Sequence, residues 1–353
     1  MDIRNPIANR DDLILITGAN GFLGTRVVNA LLRNGYVNLR CFVKKSTDVR
    51  SMVETICQYS GSRVDVMEGD LARRGDCQKA VSSAALIYHL AAGFGKSYRH
   101  IYRNTVAATR NLLDAAVEEP SIRRFASVSS FTVYSTANLK KGQLLDENCE
   151  IYSRPELKGE AYCCGKVRQE ELVLDYHRDH GLPYVFVRPG YVFGPGKSEI
   201  SGRVGLMRGD VFLNFGGSNP IPLTYVDNCA DAFVLAGLTG GADGQAFNIV
   251  DDELPTGTEF LNLYRENVKN IRSISVPKTA SYLLCLAWEN MSRLSRGKLP
   301  PTFNLRRWSD DWKGNPYSNE KAKRYLGWRP DISLEDACRH YFDFCREQTG
   351  NGS

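Results

Sequence analysis

No stretch of this sequence is apolar for long enough to cross a bilayer. The longest, Ala280 to Trp288, falls far short of the ~20 residues that a spanning helix needs, so no transmembrane segment is expected. Charge of one sign is missing too: 45 basic residues stand against 40 acidic ones in 353, a net +5. Both signs are mixed along the chain rather than gathered into a tail or stripe, which argues against a nucleic-acid partner. Met1 to Asp12 lacks the apolar core of a secretion signal, and the expected location is the cytoplasm. Repeats and low-complexity segments are absent, apart from Gly350-Asn351-Gly352-Ser353 at the end of a flexible tail expected over 348–353. Cysteine is plentiful, with ten residues, but only Cys163 and Cys164 are close together. Without a second pair at ligand spacing no metal site is expected, and the thiols are read as reduced.

What is present begins with the apolar run Leu13-Ile14-Leu15-Ile16, followed at once by Thr17-Gly18-Ala19-Asn20-Gly21-Phe22-Leu23-Gly24. Val27, Val28, Leu31 and Leu32 then fall on one helical face, and Asn34-Gly35 supplies a stop. This strand, turn and helix form an entry for a dinucleotide. Gly18 permits the tight turn, Gly21 lets backbone N–H groups approach a pyrophosphate, and Gly24 lets the helix pack close to the strand. Asn20, Phe22 and Leu23 belong to the same cofactor-binding turn.

Strand-like runs at 13–16, 39–43, 64–67, 86–90, 125–128 and 184–187 alternate with helical patterns such as 103–117 and 160–178. That rhythm predicts a Rossmann-type α/β fold, a doubly wound parallel sheet. It is expected to occupy 1–193, with 225–239 and 247–250 returning to the sheet. A small C-terminal substrate-binding lobe is expected from 194–224 and 251–347, its helical patterns at 277–296 and 334–347 lying across the carboxyl ends of the strands. Tyr282, Leu283, Leu284, Leu286 and Trp288 are read first as a helix packed on the core, with an apolar pocket wall or peripheral contact with a membrane surface as alternatives.

Tyr162 and Lys166 stand one turn apart on a predicted helix. Tyrosine has an ordinary pKa near ~10, and a neighbouring ammonium eases its deprotonation. Ser130 follows the strand Phe125-Ala126-Ser127-Val128, which places a hydroxyl at the active edge of the sheet, able to bond a substrate carbonyl or hydroxyl.

The order of these motifs resembles the extended short-chain dehydrogenase/reductase superfamily. The resemblance runs from Gly18, Gly21 and Gly24 through Gly69-Asp70-Leu71, Tyr88-His89-Leu90-Ala91-Ala92, Ser130, Tyr162 and Lys166. It continues over Arg188-Pro189-Gly190-Tyr191-Val192-Phe193-Gly194-Pro195-Gly196, Tyr225-Val226-Asp227-Asn228, Phe247-Asn248-Ile249-Val250 and Leu326-Gly327-Trp328-Arg329-Pro330. It implies that Asp70 and Leu71 flank an adenine, that Leu90, Ala91 and Ala92 line the cofactor groove, and that Pro189 begins the loop against a nicotinamide. Ser130, Tyr162 and Lys166 would be the catalytic set, with Lys166 also holding the nicotinamide ribose. The asparagine that usually opens the helix motif is replaced here by Thr105, with Asn104 one place early.

Three local absences shape the reaction. The second strand ends in Lys44-Lys45 instead of the acidic residue that binds a ribose 2′-hydroxyl, which favours NADP(H) over NAD(H), with solvated lysines as the alternative. Phe131-Thr132 replace the acidic pair that follows the serine or threonine in sugar-nucleotide dehydratases, which argues against dehydration. Ile221 stands near the place of an arginine that grips a diphosphate, with Arg203 or Arg208 as replacements from the preceding loop. Together with Asn228, Gly244-Gln245-Ala246-Phe247 and the segment after Val276-Pro277, this resembles the 3β-hydroxysteroid dehydrogenase and dihydroflavonol reductase branch. The expected activity is NAD(P)-dependent interconversion of a secondary alcohol and a ketone on a small-molecule substrate. A nucleotide-sugar epimerase using transient oxidation is the alternative, and a cofactor sensor a third. By analogy with such proteins a homodimer is expected.

Overall fold

Alternation of buried residues along β1 (Ile14–Thr17) shows how the chain is layered: Ile14 and Ile16 point into one apolar cluster and Leu15 into another. The structure is a computed structural model and describes residues 1–95, 97–295 and 298–350. β1 lies in a sheet with β2 (Asn38–Lys44), β3 (Arg63–Gly69), β4 (Leu86–His89), β5 (Arg124–Val128), β6 (Tyr184–Pro189) and β11 (Gln245–Ile249), in the order β11-β6-β5-β4-β1-β2-β3. Every pairing is parallel. Both faces are therefore covered by helices, and the strands read as nearly continuous apolar runs.

One face carries α1 (Phe22–Arg33), α2 (Arg50–Cys57), α7 (Val226–Leu238) and α11 (Glu320–Leu326). The other carries α3 (Arg74–Val81), α5 (Ala108–Glu118) and α6 (Ala161–His180). The helix expected over 103–117 starts earlier, at α4 (Tyr98–Ile101), and runs into α5 through a π-helical segment, Tyr102–Ala107. The return of 247–250 to the sheet is realised by β11, but 226–238 is helix rather than strand. The physical reason is burial: α7 is enclosed on nearly every side, so its apolar run shows no face pattern and mimics a buried strand.

Beyond β6 the chain builds two small sheets. β7 (Tyr191–Phe193) pairs in parallel with β10 (Leu223–Tyr225), while β8 (Gly205–Arg208), β9 (Val211–Asn214) and β12 (Arg272–Ser275) form a second sheet. α8 (Gly257–Asn267) opens with a capping box between Thr256 and Glu259. α12 (Leu334–Gly350) packs Tyr341 and Phe342 against Phe193 and Phe260. Positions 348–350 of the expected tail thus belong to this helix, while 351–353 lie outside the described residues. α9 (Lys278–Leu294) packs with α10 (Leu305–Trp312) around Cys285, Phe215 and Trp312. The core-packed reading of its apolar residues fails for Leu283 and Leu284, which are 60% and 59% exposed. No described helix is long and apolar enough to cross a membrane.

Candidate active site

At the carboxyl end of β1 the chain turns through Gly18 with φ +70°, a conformation glycine adopts at little cost. A Cβ at Gly24 would lie 2.1 Å from the Gly18 carbonyl oxygen, so α1 can start this close to β1 only with glycine there. Gly21 is the residue before α1, and no side chain caps the helix among the described residues. The first amides of α1 thus remain available to an anion, and Phe22 and Leu23 sit in that first turn.

Beside this turn lies a groove of about 250 Å³ that brings together Gly18, Asn20, Lys44, Asp70, Leu71, Ala91 and Ala92. Thr17 pairs with Phe42 on one side and His89 on the other, which sets β2 and β4 as the two walls. Leu90 continues β4 by donating its amide to the Thr17 carbonyl at 3.1 Å. Asp70 accepts from the amide of Ala72 at 2.9 Å and lies 3.8 Å from Arg103. Phe94 and Arg103 also border the groove and were not foreseen. Uncapped amides, a cradle that a Cβ would fill and an apolar wall of Leu71, Ala91 and Ala92 fit a dinucleotide.

Ser130 begins a short turn after β5, and its Oγ accepts from the Thr132 amide at 3.2 Å. The same hydroxyl neighbours the phenol of Tyr162, on the first turn of α6. Phe94 stacks on the Tyr162 ring with centroids 5.6 Å apart and joins the tyrosine to the groove. Burial and the charge of Glu160 push the Tyr162 phenol above its ordinary pKa, and the neighbouring Ser130 hydroxyl opposes them. Lys166 Nζ lies 5.9 Å from the Tyr162 ring centroid and donates to Val128 O at 2.8 Å and to Gln169 Oε1 at 2.9 Å. Burial pulls its pKa down to about 7, with Glu170 acting the other way.

A buried polar chain extends from there. Gln169 Nε2 donates to Thr109 Oγ1 at 2.9 Å, which lies 2.8 Å from His89 Nε2, and His89 Nδ1 lies 2.8 Å from Thr17 Oγ1. Burial lowers the His89 pKa to about 3, so the imidazole is neutral and serves as a fixed link between the glycine turn and α6. Thr105 Oγ1, at the asparagine position of the motif, accepts from the Gly93 amide at 2.9 Å, while Asn104 Nδ2 donates to the His100 carbonyl. Pro189 ends β6, and the next amide, Gly190, donates to Ile249 O across to β11 at 2.9 Å.

The profile of the NAD dependent epimerase/dehydratase family matches residues 14–249. The chain belongs to this family. This family member is similar to a decarboxylating sterol-4-alpha-carboxylate 3-dehydrogenase of Candida albicans, 27% identical over 95% of this chain and 97% of that one. The enzyme of the same description from Bos taurus is 25% identical over 91% and 89%. Among solved structures, UDP-glucuronic acid 4-epimerase from Bacillus cereus, in complex with NAD, superposes with a TM-score of 0.70 at 20% identity, covering 95% of this chain and 99% of that one; it shares the fold. The chain is thus an extended short-chain dehydrogenase/reductase of an NAD-dependent enzyme family, with relatives in the 3β-hydroxysteroid dehydrogenase branch. Net oxidation of an alcohol and transient oxidation for epimerisation both fit these relatives.

Proposed function

We propose that this enzyme interconverts a secondary alcohol and a ketone on a weakly polar, sterol-like substrate, with Tyr162, Lys166 and Ser130 as the catalytic set. The observation that carries the reading is Ile221. Where sugar-nucleotide enzymes set an arginine against a diphosphate, this side chain is 1% exposed in an apolar cluster with Phe193, Leu223 and Tyr225. Likeness to sterol-4-alpha-carboxylate 3-dehydrogenases over about nine-tenths or more of both chains supports the substrate class. Ser130 bonds the substrate oxygen, Tyr162 takes or returns its proton, and Lys166 supplies positive charge and holds the nicotinamide ribose. When bound, the nicotinamide accepts or donates the hydride. Gly18, Asn20, Gly21, Phe22, Leu23 and Gly24 hold the pyrophosphate, and Asp70, Leu71, Leu90, Ala91, Ala92 and Pro189 frame the rest of the cofactor.

We infer NADP(H) as the favoured cofactor, because Lys44 ends β2 and lines the groove where an acidic residue would bind a 2′-hydroxyl. Residues 194–224 and 251–347 contact the substrate in this reading. The exposed α9 residues Leu283, Leu284, Met291 and Leu294 support peripheral contact with a membrane surface on the cytoplasmic side. L283D/L284D should abolish co-flotation with anionic vesicles. A homodimer through the α4 to α6 face is supported by exposed Tyr98, Tyr102 and Leu174 and is tested by light scattering.

A second reading, the nucleotide-sugar epimerase, has Arg203 in its favour. This arginine lies on the loop before β8 and donates to Asp310 O at 2.6 Å and to Tyr317 Oη at 3.2 Å. Mass spectrometry of the nucleotide released on denaturation separates the two. Near-stoichiometric retained NAD would favour epimerisation; a site that exchanges NADPH freely and reduces 3-ketosteroids would favour the oxidoreductase.

A further inference from the structure

The sequence lacks an acidic residue after Ser130, yet the fold brings one to that corner. Glu160 immediately precedes α6, and its carboxylate makes no capping bond to the helix. It turns instead to the Ser130 turn, where Thr132 Oγ1 donates to Oε2 at 3.4 Å and Lys158 Nζ lies 3.4 Å from the same oxygen. Lys158 is buried, donates to Thr132 Oγ1 at 2.9 Å and pairs with Asp310 at 3.1 Å. Burial opposes its charge, but Asp310 and Glu160 outweigh that and raise its pKa well above the ordinary value. The ammonium is therefore a fixed anchor for one carboxylate oxygen.

The other oxygen, Oε1, has no hydrogen-bond partner among the described residues, and the Glu160 side chain is 35% exposed. Ser130 and Thr132 belong to one turn, joined by the bond from the Thr132 amide to Ser130 Oγ. One end of the turn thus reaches the Tyr162 phenol and the other reaches Glu160. Their proximity also appears in the effect of the Glu160 charge on that phenol.

We propose that Glu160 is a second acid–base group that exchanges the proton on the carbon next to the substrate carbonyl. The proposal rests on the reading that the site handles a ketone bound at Ser130 and Tyr162. The C–H bond breaks and its proton passes to the free oxygen of Glu160. The electron pair forms the enolate, whose oxygen is held by Ser130 and Tyr162. Return of the proton restores the ketone, so no oxidant or reductant is consumed. A proton donor anchored on one oxygen and free on the other can act on that carbon while Tyr162 serves the oxygen.

The test uses the full-length protein with NADP⁺ and 5α-androstan-3-one in D₂O, following deuterium at the carbons next to the carbonyl by mass spectrometry. Reduction of the same ketone by NADPH is measured in parallel. In E160Q the ratio of exchange to reduction should fall by about 100-fold, while E160D, which keeps the carboxylate, restores part of it. T132V, which leaves the carboxylate but removes an anchor, should lower the ratio less and stands in if E160Q does not fold. A wild-type protein that reduces the ketone without exchange above buffer, or an E160Q ratio equal to wild type, overturns the proposal. A wild-type protein that neither reduces nor exchanges it overturns the ketosteroid reading, and this assignment with it.

Discussion

Replacing Glu170 by Gln should lower the melting temperature by several degrees and loosen the site as well. Arg188 and Glu170 form a bidentate pair, with Nε to Oε1 at 2.9 Å and Nη2 to Oε2 at 2.7 Å, and their side chains are 8% and 5% exposed. The third arm of Arg188 donates to Tyr134 Oη at 2.9 Å, and Tyr134 donates onward to Asn248 Oδ1 at 2.7 Å. The network ties α6, β6, β11 and the Ser130 turn together, with Glu170 one helical turn beyond Lys166. Removing one partner leaves a buried guanidinium unpaired, which costs about 3–5 kcal/mol. At about 2.1 cal/mol/K per residue, 353 residues give an unfolding entropy of about 0.7 kcal/mol/K. The expected fall is therefore about 4–7 °C. Because the pair is buried, the difference between E170Q and wild type should persist in high salt, unlike that of a surface pair. E170L/R188M should recover most of the loss, since neither charge is then buried alone. Thermal melts by circular dichroism decide the matter. An E170Q protein within about 1 °C of wild type, or a double variant less stable than E170Q, would refute the reasoning.

Tyr162→Phe should lower kcat by about 10²–10⁴-fold while the dissociation constant for the cofactor, read by fluorescence titration, changes little; undiminished turnover would remove Tyr162 from the catalytic set. Lys44→Ala with Lys45→Ala should weaken NADP(H) by about tenfold and NAD(H) far less, and equal losses in calorimetric titrations would defeat the 2′-phosphate argument. Asp251 accepts from the Tyr225 amide at 2.7 Å and from Asn228, yet burial raises its pKa from 3.8 to about 7. Between those values the folded chain keeps a proton that the unfolded chain has released, so stability present at low pH is lost as pH rises through 7. Asp251→Asn should flatten that fall, and a variant whose denaturation midpoint tracks pH between about 5 and 7 as wild type does would contradict the linkage.

The parallel sheet was legible because its strands are buried on both faces and separate cleanly from the amphipathic helices, as Ile14 to Thr17 and α1 illustrate. The glycine turn was legible because close backbone approach leaves glycine as the residue that fits at Gly24. The limits are physical too. α7 hid because total burial erases its periodicity, and β7, β8, β9 and β12 are as short as β1 but only partly buried, so they lack its unbroken apolar run. Within the site, Ser130, Tyr162 and the groove residues other than Phe94 and Arg103 were named from their motifs. Glu160, Lys158 and the chain through His89, Thr109 and Gln169 depend on contacts between distant segments. The one local signal for Glu160 was an acidic residue two places before the tyrosine.

The π-helical segment Tyr102–Ala107 has a consequence for how this chain can change. A π turn holds one residue more than the α-helix around it, so deleting a residue there would let the helix close up in regular form. The turns on either side would keep their phase, because the π turn is what absorbs the extra residue. The change would be local: Arg103 and Asn104, which border the groove, and Thr105, which accepts from the Gly93 amide, lie inside the segment and would be re-placed. Length is normally negotiable at loops and fixed within helices by hydrophobic phase. Here a regular helix is within reach of one deletion, at the cost of the positions that the π turn gives Arg103, Asn104 and Thr105 beside the groove.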